Sequence, residues 1–220
     1  MAKMMLAVVD TECVGLQDKS VYDFAWQIVD KKGNVYSEGS YLVEETIIDA
    51  DKMMGAFYAK KIFSHYIPML AKGIITIKPW KDIRSEFLAD LDKFNVDVFA
   101  AYNVGFDMGA IKSTNGEGKF LHRPMRVLDI WQFACETILS SKTYMQLARE
   151  QNWVSDAGNI RTNAEKAYSY ISADWNYIEE HTALEDVKIE NRILAACFRQ
   201  KKKIPFGKVN AQPWRIVNEL

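Results

Sequence analysis

Leu6-Ala7-Val8-Val9-Asp10-Thr11-Glu12-Cys13-Val14-Gly15 decides the fold of this 220-residue chain. The near-continuous apolar run before Asp10 predicts a buried central strand close to the N-terminus. Side chains alternate along a strand, so Asp10 and Glu12, spaced i,i+2 at its end, point to the same side. Two carboxylates crowded there repel each other and lose water. A hard divalent cation shared between them removes both penalties. The alternative is that Asp10 opens a surface turn and Glu12 is solvated.

Working outward, Tyr22-Asp23-Phe24-Ala25-Trp26-Gln27-Ile28-Val29 predicts a second strand and Val35-Tyr36-Ser37-Glu38-Gly39-Ser40-Tyr41-Leu42-Val43 a third, joined by a turn at residues 30–34. This hairpin makes the sheet open antiparallel and excludes a purely parallel doubly wound start. From Ile47 to about Leu70 the pattern turns helical, with Ala50, Met54, Tyr58, Ile62 and Tyr66 along one stripe and Met53 and Phe57 beside it. That stripe suits a core or a lid over the core. The alternative is an adaptable platform for nucleic-acid bases, flanked by Lys52, Lys60 and Lys61. A helix is expected from Trp80 to Phe94, then a short buried strand over residues 96–102, a βαβ-like crossover onto the sheet. Further expectations are a helix from Phe106 to Lys112, a strand Arg126–Asp129 with a helix to Leu139, and helices at 143–152, 163–171 and 182–200. Thr182-Ala183-Leu184-Glu185 reads as a capping box for the last of these. The sum is an α/β single domain with a central mixed five-stranded sheet flanked by helices.

Composition bounds the function. With 28 Lys and Arg against 29 Asp and Glu, the formal charge is −1, so a polyanion would be met by a local patch or by metal ions. Residues 198–215 form such a patch, with Arg199, Lys201, Lys202, Lys203, Lys208 and Arg215 and no acid between them. They suit either a solubilising tail or contact with a nucleic-acid backbone. Cys13, Cys135 and Cys197 are widely spaced, which argues against a disulfide framework and a Cys/His zinc site. With no leader-like segment and no apolar run of membrane-spanning length, a cytoplasmic location is expected. Residues 1–200 are expected to form the main domain, with a helical insert at 47–72, and residues 201–220 a basic tail packed on or beside it.

Two further acidic stretches echo the first. Tyr102-Asn103-Val104-Gly105-Phe106-Asp107 places an acid just past a buried strand, where a helix opens. His181-Thr182-Ala183-Leu184-Glu185-Asp186 places an imidazole before the last long helix and an acid in its first turns, near the positive end of the helix. Taken singly, Asp107, His181 and Asp186 are ordinary helix-terminal or surface residues. Together they have one account, in which strand end, crossover and final helix gather four carboxylates and one imidazole around a pair of divalent ions.

On these residues the chain resembles the DnaQ-like 3'-5' exonucleases of the DEDDh kind, which share a ribonuclease H-like fold. The family's Asp-x-Glu motif is matched by Asp10 and Glu12, its His-Asn-x-x-Phe-Asp motif by Tyr102 through Asp107, and its His-x4-Asp motif by His181 through Asp186. The short Val127-Leu128-Asp129 stretch and Leu147 match its intermediate strand and the helix that follows. Order and spacing agree over residues 5–200. Three departures stand out: Cys13 and Val14 where threonines are common, Tyr102 in place of histidine, and the long segment 47–72. The resemblance implies a two-metal-ion enzyme using Mg2+ or Mn2+ that releases nucleoside 5'-monophosphates from the 3' end of single-stranded or frayed DNA. It implies that Asp10, Glu12, Asp107 and Asp186 are metal ligands, with Asp10 bridging the ions, and that His181 takes the proton from the attacking water. Thr11, Cys13, Val14, Leu16, Asn103 and Phe106 would line the substrate, with Val14, Leu16 and Phe106 as wedges against the last bases. Left open are an RNA substrate, a non-catalytic nucleic-acid-binding module, an endonuclease on the same sheet, a polymerase partner and a homodimer. For His181 two influences oppose, since a helix start lowers its pKa and neighbouring acids raise it.

Overall fold

A computed structural model describes residues 3–56 and 59–219. Among the described residues six strands form one mixed sheet: β1 (Met5–Cys13), β2 (Val21–Asp30), β3 (Val35–Val43), β4 (Thr76–Lys78), β5 (Val98–Ala101) and β6 (Arg126–Asp129), in the order β4-β3-β2-β1-β5-β6. The pairs β1/β2 and β2/β3 are antiparallel, whereas β1/β5, β5/β6 and β3/β4 are parallel. The expected five strands become six through β4. That strand is a three-residue edge element beside β3, too short to carry an alternation pattern.

Alternation along β1 divides the interior in two. Leu6 and Val8 join a core with α6 (Ile130–Glu136), α7 (Lys142–Glu150), α8 (Ala164–Ser172) and α9 (Ala183–Arg199). Met5, Ala7 and Val9 face α4 (Trp80–Lys93) and α5 (Val104–Asn115) on the other side. All ten residues of β2 are buried, as a central strand covered on both faces requires. Trp26 of β2 lies flat over Gly39 of β3, where a Cβ would stand 2.3 Å from the indole, so the pair accepts only glycine at position 39. The β2–β3 turn is closed by Asp30, whose Oδ1 accepts from the N–H groups of Lys32 (2.8 Å) and Asn34 (3.1 Å), with Gly33 at φ 83°.

The segment 47–72, read as helical with one apolar stripe, is a succession of short helical pieces. It holds α1 (Glu44–Ile47) at its border, α2 (Ala50–Met54), a π-helical turn at Ile62–Tyr66 and α3 (Ile67–Ala71). Asp49 restarts the helix by accepting from the Lys52 N–H at 3.1 Å, and Gly55 ends α2. These local signals outweigh the longer apolar period. The expected stripe divides accordingly: Met53 and Tyr66 are buried in a third core with Val14, Tyr22 and Leu42, whereas Met54 is 83% exposed. Phe57 and Tyr58 of that stripe lie outside the described residues.

Residues 201–219 lie along α6 and β6. The Gly207 N–H donates to the Val127 carbonyl at 2.8 Å, Lys208 pairs with Glu136 at 2.9 Å, and Val217 in α10 (Arg215–Asn218) is buried. Among the described residues no helix is long and apolar enough to cross a membrane.

Candidate active site

The C-terminal end of β1 meets the start of α9 at one end of the sheet. Asp10 and Glu12 continue the face of Leu6 and Val8 and so look toward α9. Asp186 and Glu190 stand four residues apart on α9, on a single helical face, and both are buried. Cross-strand register places Asp23 of β2 directly opposite Glu12. Asp107 arrives from α5 on the opposite layer and is held by Thr11, whose N–H and hydroxyl donate to its Oδ1 at 3.1 and 2.9 Å.

The crossover turn that delivers Asp107 is itself pinned. Asn103 sits in the left-handed region at φ 68°, ψ 52°, a conformation asparagine tolerates better than most residues. Its N–H donates to Asp129 Oδ1 (3.3 Å) and its carbonyl accepts from the Phe106 N–H (2.8 Å). Tyr102 donates its N–H to Glu190 Oε2 at 3.2 Å and its hydroxyl to the Thr162 carbonyl, with its ring stacked on Trp131. A phenol thus fills this position by anchoring the turn to the α6–α9 layer.

Crowding and burial leave these acids reluctant to ionise. Burial raises Asp10 well above the usual carboxylate range, with repulsion from Glu190, Asp186, Asp107 and Glu12 adding to it. Glu12 is pushed up to about 8 by burial, against the pull of Lys61. Asp186 is pushed up to about 9 by burial, then by Glu179 and Glu12. Asp107 reaches about 7, where burial is partly offset by the Thr11 hydrogen bonds. Glu190 is raised well above its ordinary range, again by burial first.

The donor set suits a hard divalent cation. One ligand atom each from Glu12, His181 and Asp186 lie within 4.8 Å of one another, and the buried Asp186 Oδ1 has no hydrogen-bond partner. Carboxylate oxygens and one imidazole nitrogen, with an oxygen left bare in the interior, are the donors expected around such an ion. Asp10 and Asp107 stand outside this tight trio but act electrostatically on the same groups.

His181 holds a left-handed backbone at φ 53°, with Nδ1 3.6 Å from Glu179 Oε2 and its carbonyl accepting from Lys61 Nζ at 2.6 Å. Its pKa lies below the ordinary 6.5 because of burial and then the Lys61 charge, with Glu165 opposing. Burial and Lys61, neither of them the helix start weighed from the sequence, thus outweigh the neighbouring acids and favour the neutral imidazole. Thr182, expected to cap α9, makes no capping bond. Asp23 does so instead, its Oδ2 accepting from the Ala183 N–H at 3.0 Å and the Tyr66 hydroxyl at 2.9 Å. Glu185 turns to Lys188 at 2.6 Å.

Of the expected substrate-lining residues, Thr11, Cys13 and Val14 are buried, Asn103 and Phe106 are half-buried, and Leu16 is 81% exposed on the loop closed by Val14–Ser20 and Gly15–Asp18 backbone bonds. The Lys19 ammonium lies 5.1 Å from the Phe106 ring centroid. Sequence reasoning missed Glu190, Asp23 and Glu179, and placed Lys61 beside a base platform rather than against His181. For Glu190 a signal was present, since it stands i+4 from Asp186.

No family model matches the chain, and no curated protein matches it. A solved structure titled a full-length 3'-exonuclease matches with a TM-score of 0.59 at 8% identity, over 97% of this chain and 66% of that one. The two share a fold, a single α/β domain with a mixed sheet flanked by helices of the ribonuclease H-like kind. A second match, E. coli exonuclease I in complex with a dA16 oligonucleotide, has a TM-score of 0.49 at 14% identity, over 99% of this chain and 43% of that one. The chain therefore spans about two thirds of the length of one and less than half of the other.

Proposed function

We propose that this protein is a metal-dependent nuclease, specifically a DEDDh-type 3'-5' exonuclease that releases nucleoside 5'-monophosphates from single-stranded or frayed DNA. The observation that carries this reading is the meeting of Glu12, Asp186 and the His181 ring within 4.8 Å, from two chain segments far apart in sequence. Asp10 and Asp107 stand beside them.

Glu12 and Asp186, with Asp10 and Asp107, would hold the divalent ions. The chemistry such ions supply is Lewis acidity toward water and relief of charge on the departing 3'-oxygen. His181, kept neutral by burial and by Lys61, accepts the proton of the attacking water at a ring nitrogen. Thr11 holds Asp107 in place, and the Asn103 turn keeps α5 at the mouth of the site. Exposed Leu16 and half-buried Phe106, with Lys19 over its ring, give an apolar and cationic rim on which terminal bases can stack without sequence preference.

The test is digestion of 3'-labelled DNA and RNA oligomers of matched sequence, with Mg2+, by the wild-type and Asp10→Ala proteins. Release of labelled mononucleotide by the wild type alone is expected, faster on DNA. Equal release by both proteins overturns the reading, faster release from RNA reassigns the substrate, and cutting of circular single strands makes the enzyme an endonuclease.

A further inference from the structure

At the far end of α9 from the acidic site, cations gather that the proposed reaction does not use. A cavity of about 240 Å³ lies between the β2–β3 turn, α8 and α9, with Lys32, Arg192 and Arg199 in its walls. A second hollow shares Lys32 and Arg199 and adds Lys31 and Phe198. No carboxylate lines either one. The joint is built closely: the buried Asn191 amide donates to the Gly33 carbonyl at 3.1 Å, and a Cβ on Gly33 would stand 3.1 Å from that of Ala195. This holds the lysines of the turn against the arginines of the helix. Arg192 is itself oriented, its Nη1 donating to the Tyr168 hydroxyl at 2.7 Å, and the Lys31 ammonium lies 5.6 Å from the Phe198 ring centroid. Among the described residues no ion pair joins Lys31, Lys32, Arg192 or Arg199 to a carboxylate, and Asp30, beside them in the turn, is held by Lys3 at 2.6 Å.

Like charges crowded without a counter-charge, on a chain of formal charge −1, repel one another until an anion intervenes. Attraction to the negative end of α9 accounts for Arg199 alone, because Lys31 and Lys32 come from another element and Arg192 stands two turns earlier. Nor is this the basic run of residues 198–215 as such, since Lys202 and Lys208 turn to Glu136, at 3.3 Å and 2.9 Å. Arg192 and Arg199 stand about 10 Å apart along the helix at ~1.5 Å per residue, so an anion spanning them carries several charges. The Tyr168 and Phe198 rings beside the cations give faces on which bases can stack.

We propose that Lys31, Lys32, Arg192 and Arg199 grip the phosphate backbone of the substrate strand upstream of its 3' end, as a second nucleic-acid contact at the far end of α9. This rests on the nuclease reading above and gives it a footprint. Arg199 lies about 20 Å along α9 from Asp186, a length that a strand covers in about 6 nucleotides at ~3.4 Å each.

Binding of a 5'-labelled oligothymidylate of about 20 nucleotides, read by fluorescence anisotropy in EDTA over a salt series, tests this without catalysis. Two variants remove charge from separate elements, Lys31→Gln with Lys32→Gln in the turn and Arg192→Gln with Arg199→Gln in α9. Each is expected to bind about tenfold more weakly than wild type, with the slope of log K against log salt reduced by about 1.4, two phosphate contacts at ~0.7 each. Arg192→Lys with Arg199→Lys keeps the charge and is expected to bind as wild type does, which a merely structural role would not allow. With Mg2+, kcat/KM of either Gln pair is expected to fall about tenfold more on the long oligomer than on a tetranucleotide too short to reach the groove. Unchanged affinity and salt slope in either Gln pair, or an equal fall on long and short substrates, overturns the groove and leaves the nuclease reading intact. Binding that depends on these cations, in a protein that never cuts the strand in Mg2+, upholds the groove and overturns the nuclease reading.

Discussion

Thr11 donates two hydrogen bonds to a single oxygen, Oδ1 of Asp107, and so joins the end of β1 to the opposite helical layer. The backbone donor is independent of side chain, but the hydroxyl is not. Thr11→Val keeps the shape and loses one bond to a buried carboxylate, at a cost of about 1 kcal/mol. Because that bond orients an acid of the site, the rate is expected to fall roughly tenfold, the lower range for loss of a group supporting a metal ligand. Steady-state kinetics and thermal melting check this; an unchanged rate would mean that the N–H bond alone holds Asp107.

In EDTA the protein is expected to lose stability as pH rises from about 4 to about 9. Glu12, Asp107 and Asp186 have folded pKa values of about 8, 7 and 9, all above the unfolded carboxylate range of about 4. Between those limits the folded state binds more protons than the unfolded one, so the stability these acids add below pH 4 is lost progressively from there and is gone once pH has passed 7 to 9. At Asp30 the sign reverses. Burial there is outweighed by hydrogen bonds from Lys3 and Asn34, which hold its carboxyl below the usual range, so its contribution is present above pH 4 and lost in acid. Melting temperature against pH in EDTA should therefore fall on both sides of a mildly acidic maximum, and Mg2+ should flatten the alkaline limb. A flat alkaline limb in EDTA contradicts this electrostatic picture.

Asp186→Asn separates stability from function. At pH 9 in EDTA the variant is expected to melt above wild type by about 2–4 °C, the shift that ~1 kcal/mol produces in a domain of this size, because a neutral amide replaces a charge disfavoured by burial and then by Glu179 and Glu12. At pH 4, near the unfolded carboxylate value, where the carboxyl is protonated at little cost in either state, the two should nearly coincide. Nuclease activity is expected to be lost throughout. Paired melting curves at the two pH values, with an oligonucleotide assay, decide it.

The start of α9 gives a contrast between two polar residues. Asp23→Ala removes the acceptor of both the Ala183 N–H and the Tyr66 hydroxyl and should cost about 2 kcal/mol or more. Thr182→Ala removes a buried hydroxyl with no partner, and should be near neutral or stabilising. Urea denaturation of both variants measures the difference, and a larger loss in Thr182→Ala would restore the local capping box.

Local pattern made much of this protein legible. Period-two alternation placed Asp10 and Glu12 on one side of β1, the hairpin followed from two β-rich runs around a turn, and Asp107 and Asp186 were placed by the strand–helix boundaries beside them. The break-up of the 47–72 segment was also written locally, in Asp49 and Gly55, but the apolar period masked it. What the sequence by itself determined is thus the direction of side chains within each element and the acids at element ends. Only the tertiary structure decided that Asp23 faces Glu12 and caps α9, that Glu190 is buried against Tyr102, and that Lys61 enters the acidic site from 120 residues away from His181. The physical reason is that backbone stereochemistry sets a residue's direction within its own strand or helix. Strand register and helix docking, which set its neighbours, emerge only when the whole core packs.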